Sequence, residues 1–195
     1  VIDSLETQLE RLATQLAEDD HREISALFRQ ARLASPQLIW TPQPGQAPGI
    51  AMPELLARWE LGGGRRRAAT GEDLFDGAPA AMRDWAIELD LRADGDVSYA
   101  RVGERIVGLL RSDPTGQSLI DVVSRTPTPA MMFYAAGYLA CRWRQAPFLT
   151  FSQSPRLQVR AVSRLVLPLW DPDGLLRRFA TLLSIVDHDA PSPAN

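Results

Sequence analysis

Tyr99 and Arg101 stand two apart in Val97-Ser98-Tyr99-Ala100-Arg101, a run of strand character, so simple alternation sends both side chains to one face. Phe133, Tyr134, Tyr138 and Trp143 follow on a segment of helical character expected to pack there or nearby. Aromatic rings with one guanidinium can hold a small anionic or planar ligand. These residues form the candidate ligand site. The alternative is a filled core with Arg101 satisfied at its edge.

Other reactive side chains fit weaker chemistries. Asp187-His188-Asp189 carries metal-ligand types at close spacing, but Ala190-Pro191-Ser192-Pro193 follows, and the stretch from 188 to 195 reads as a disordered tail. Asp171 and Asp173 are acidic neighbours, yet turns favour Asp for backbone reasons. Gly62-Gly63-Gly64-Arg65-Arg66-Arg67 offers an anion or partner site, or simply a solvated loop. A lone cysteine, Cys141, rules out an internal disulfide and a cysteine-cluster zinc site. Gly-x-Ser-x-Gly, a phosphate-binding glycine loop and His-Glu-x-x-His are all absent. The expectation is a protein without catalytic activity, resident metal or cofactor.

Bulk properties narrow the class further. The 195 residues allow one ordinary domain and an appendage. Lys and Arg total 21 against 24 Asp and Glu, and a net charge of −3 argues against a general nucleic-acid binder. Every one of those basic residues is Arg, read here as coding bias. The longest apolar run, Ala130 to Cys141, is too short to span a bilayer. One free thiol suits a reducing cytoplasm, the expected location.

The elements that would position the candidate site can be traced along the chain. Ile2, Leu5, Leu9, Leu12 and Leu16 form an apolar seam of about two heptads on an N-terminal helical region spanning 1–34. So short a seam must pack on something. A second copy, giving a homodimer, and the chain's own sheet are the two choices. Residues 35–53 are rich in Pro and Gly and read as a linker. A domain over 54–187 follows. Glu54 to Leu61 is a short helix, and Thr70 with Asp73 marks a helix start. Trp85, Ile87, Leu89 and Leu91 share a parity, and Ala93-Asp94-Gly95-Asp96 turns the chain into Val97 to Arg101. Short helices lie near 102–110 and 119–123, and Pro129 opens a longer one to about Arg144. From Phe148 the pattern is strand-like again. Arg156, Arg160 and Arg164 fall on one face, with Val159, Ala161, Leu165, Leu167 and Leu169 on the other. Asp171-Pro172-Asp173-Gly174 then turns into Phe179 to Val186, a hairpin signal.

Two strands, short helices, a longer helix and about three strands is the order of a PAS domain. The local words agree in order. Trp59, Gly64-Arg65, Tyr99-Ala100-Arg101-Val102-Gly103-Glu104-Arg105, Pro114-Thr115-Gly116-Gln117-Ser118-Leu119, and Leu167-Pro168-Leu169 with Asp171 and Gly174 together resemble the short PAS-like family of soluble bacterial proteins. The resemblance covers roughly Leu55 to Val186. It departs from the family pattern at Ala100, which separates Tyr99 from Arg101, and at Ala68-Ala69, where a Pro is usual. It implies an α+β fold, an antiparallel sheet of about five strands with helices packed on one face, preceded by the amphipathic helix. It also implies a sensory or signalling domain, binding a small ligand or a protein partner and acting as a dimer. A ligand-free interaction adaptor on the same fold and a small-molecule enzyme on an α+β cone are the alternatives. Flavin photochemistry is not expected. The turn at Gly116-Gln117-Ser118 holds no Cys, and Ala140-Cys141-Arg142-Trp143 falls late on the longer helix. Haem ligation is not expected either, because His21 and His188 lie outside the predicted core.

Overall fold

Long strands at the C-terminal end organise the molecule. The computed structural model describes residues 3–62, 74–75, 77–153 and 161–186. The sequence readings on Ile2, on Gly63 to Asp73, on Arg156, Val159 and Arg160, and on Asp187-His188-Asp189 lie outside the described residues. Strands β5 (Ala161–Trp170) and β6 (Leu176–Val186) pair antiparallel from Ala161 opposite Val186 to Trp170 opposite Leu176. Their turn works through its acidic and glycine residues. The Asp171 carboxylate accepts from the Asp173 and Leu175 amides and from Arg177 Nε. Gly174 adopts φ 78°, which a residue without a Cβ reaches at little cost.

Around this hairpin the sheet grows to six strands. β4 (Phe148–Gln153) pairs with β5, and β1 (Gln37–Trp40) pairs outside β4. On the other side β2 (Ala86–Leu91) pairs with β6, and β3 (Val97–Val102) closes the edge. The order is β1-β4-β5-β6-β2-β3, with every pairing antiparallel. The sixth strand corrects the expected five. β1 is only four residues long and lies in the stretch read as a linker, where flanking prolines and glycines mask any period. A 3₁₀ turn, Pro44–Gln46, and the start of α3 (Ala51–Leu61) also fall there.

The helices cover both faces of the sheet, not one. On the first face lie α1 (Leu5–Ala17), α2 (Arg22–Gln30), α6 (Leu119–Arg125) and α7 (Pro129–Arg144), meeting Ile87, Leu89, Val97, Tyr99, Phe148, Val166 and Phe179. On the second, α3 and Met82 of α4 (Ala80–Arg83) meet Leu149, Leu165, Leu167, Leu169 and Leu182. Strand alternation explains the division, since neighbouring residues of β5 serve opposite layers. Trp59 of α3 anchors the second layer by donating to the Pro168 carbonyl at 2.9 Å. α5 (Glu104–Leu110) follows β3.

The N-terminal seam belongs to the chain's own core. Leu9, Leu12 and Leu16 are buried with Ala13, and α1 packs along α7. Leu5 is half-buried against the same cluster. These side chains are therefore not an exposed seam on the folded chain. α7 accepts α1 on one side and the sheet on the other, so its residues are apolar around most of the circumference. Gly137 lets it approach closely: a Cβ there would come within 3.2 Å of the Phe148 ring. The helical region breaks into α1 and α2 at Asp19, which takes φ 61°. Among the described residues no helix is long and apolar enough to cross a membrane.

Candidate functional site

Between α7 and the sheet lies a buried arginine. Arg164 sits in the middle of β5 and is only 6 % exposed. Its guanidinium carbon lies 4.0 Å from the Tyr134 ring centre and 5.4 Å from that of Tyr138. Nη2 donates to the Tyr138 hydroxyl at 2.7 Å. Nε is buried and has no hydrogen-bond partner, and among the described residues no acidic group pairs with this side chain. Burying a guanidinium costs free energy unless other groups compensate its charge. Here two tyrosine rings supply a cation–π contribution.

The surrounding polar groups come from three elements. Tyr134 and Tyr138 are one helical turn apart on α7, so both rings reach the same patch of sheet. The Tyr134 hydroxyl meets Ser152 Oγ of β4 at 2.6 Å, and that of Tyr138 meets Thr181 Oγ1 of β6 at 2.9 Å. Tyr99 of β3 lies close enough to feel the charges of this group. Burial pushes its phenol well above the ordinary range; Tyr138 adds to the rise and the Arg164 cation opposes it. Burial likewise raises the Tyr138 phenol, against the pull of Arg164 and the Thr181 hydrogen bond. Both phenols therefore stay neutral, and the Tyr138 hydroxyl acts as a hydrogen-bonding group. The cluster can orient a bound group; it holds no carboxylate or imidazole base to drive proton transfer.

The predicted site is assembled only in part. Tyr134 and Tyr138 come together over Arg164, with Phe133 beside Tyr134 and edge-on to Phe28, and Tyr99 is buried in the same core layer. Arg101 does not join them. The register of β2 and β3 shifts at Ala100, so Tyr99 faces Leu89 whereas Arg101 faces Glu88. Cross-strand partners share a face, and Leu89 and Glu88 point to opposite ones. Arg101 instead shares the nearly buried Glu88 carboxylate with Arg178, at 3.3 and 3.2 Å. Trp143 is 44 % exposed and lies against Arg142, outside the cluster. Arg164 was legible as a member of an arginine-bearing parity. The stronger signal was a charge placed between Val162 and Val166 in a central strand.

Two clefts lie elsewhere. One of about 520 Å³ between α1, the β2–β3 turn, α6 and α7 is lined by Glu6, Glu10, Asp94, Asp96 and Asp121, with Arg142 bridging Glu10 and the Gly95 carbonyl. The other, about 460 Å³, is an apolar groove on the second face between Ile50, Trp85 and Ile185. Among the described residues no group of three or more His, Cys, Asp or Glu side chains is placed to hold a metal. No family model matches the chain, and comparison with curated proteins and with solved structures gives no match.

Proposed function

We propose that the chain is a PAS-like sensory domain that recognises a small anionic ligand at the Arg164 cluster without catalysing a reaction on it. The observation that carries this reading is the buried guanidinium of Arg164, stacked on Tyr134 and lacking an acidic partner among the described residues. Such a group is stabilised by a negative charge delivered from outside the fold. α7 lies between this cluster and α1, so a change in how Tyr134 and Tyr138 sit would reach the N-terminal helix directly. The test is a thermal-shift panel of halides, carboxylates and phosphates at constant ionic strength. At least one anion raises the melting temperature of the wild-type protein, and Arg164→Met abolishes the rise. A panel without effect on the wild type overturns the reading.

A second reading, an interaction adaptor with no ligand, is favoured by the packing around Tyr138. Its ring lies between Phe148 and Phe179, with centroids at 6.5 and 5.6 Å, and fills the layer. In that case Arg164→Met changes stability alone, while partner binding persists.

A further inference from the structure

Thr150 and Arg164 are direct cross-strand partners in the β4–β5 pairing. Both side chains point to the α7 face, as do Ser152 on the same strand and the tyrosines above them. Thr150 is 2 % exposed and its Oγ1 has no hydrogen-bond partner. On its cross-strand partner Arg164, Nε is also buried without a hydrogen-bond partner. A buried N–H and a buried hydroxyl on directly paired residues both go unmet, which is costly if nothing answers them. One acceptor placed between them would answer both.

Resting on the sensory reading above, we infer that the ligand is a small monovalent anion, of halide or formate size, seated between Arg164 Nε and Thr150 Oγ1. Three features set its chemistry. Both atoms can donate, so the guest must be an acceptor. Among the described residues no acidic group compensates the guanidinium, so a single negative charge neutralises the site. The rings of Tyr134, Tyr138, Phe148 and Phe179 occupy the layer around it, so the guest has few atoms. A water molecule could bridge the same two atoms but would leave the charge in place.

The experiment uses the full chain, titrated with sodium bromide and sodium formate against sodium gluconate at equal ionic strength. Melting temperature and bromide anomalous scattering from crystals are the readouts. Bromide and formate raise the melting temperature saturably, gluconate does not, and a bromide peak lies between Arg164 and Thr150. Thr150→Val preserves shape, removes the donor and weakens the bromide response by about tenfold. Arg164→Met eliminates it. Should larger organic anions stabilise the wild type through Arg164 while bromide and formate do not, the small-anion inference fails and the sensory reading stands. Should no anion act, both fail. A bromide response untouched by Thr150→Val also overturns the assigned seat.

Discussion

Arg164 Nη2 donates to the Tyr138 hydroxyl across 2.7 Å, joining the central strand β5 to helix α7. The same hydroxyl meets Thr181 on β6, so a single oxygen ties the helix to two strands. Tyr138→Phe keeps the ring against Phe148 and Phe179 but leaves Arg164 and Thr181 each short of a partner. The expected loss is about 1–3 kcal/mol, read as a fall in the chemical-denaturation midpoint. An unchanged midpoint would mean that the guanidinium finds another acceptor at no cost.

The two buried phenols make alkaline stability a second readout. A free tyrosine ionises near about pH 10, whereas burial raises both Tyr99 and Tyr138 above that value in the folded chain. Above about pH 10 the unfolded state therefore releases protons that the folded state retains, and stability falls as pH rises. Below that pH the contribution is fully present; it is lost as pH climbs towards the folded-state values. The slope reaches at most about 1.4 kcal/mol per pH unit for each tyrosine. Ultraviolet difference titration should show these two phenols ionising together with unfolding. Smooth ionisation of all three tyrosines in a folded protein near pH 10 would contradict their burial.

Much of this architecture could be read from residue types that leave a local mark. Asp171 and Gly174 announced the β5–β6 turn, and Pro129 announced the start of α7, because each residue serves a backbone need at its own position. β1 left no such mark, being four residues long between prolines. The site failed at one point. Alternation assumes an unbroken ladder, and the irregularity at Ala100 turned Arg101 away from Tyr99. Parity did group Arg164 with its neighbouring arginines, but it could not show that α7 would cover this one. That depends on long-range packing, as does the choice of partner for the α1 seam.

That seam supplies the last prediction. Leu9, Leu12 and Leu16 are each at most 1 % exposed and lie in one cluster with Phe133, Ala136 and Tyr138. Leu12→Ala removes buried methyl groups from a packed layer, and such cavities cost about 2–5 kcal/mol. Arg142 and Arg144 of α7 also reach α1, to Glu10 and to the Ala17 carbonyl, so the helix is fixed at both edges. Deleting residues 1–17 should accordingly cost cooperative folding and not merely a contact between copies. Circular dichroism melting of the truncated chain, with sedimentation velocity of Leu12→Ala, separates the cases. The expected outcome is a lower melting temperature with an unchanged sedimentation coefficient. A stable truncated chain, or a Leu12→Ala variant altered only in sedimentation, would show that the seam binds a second molecule instead.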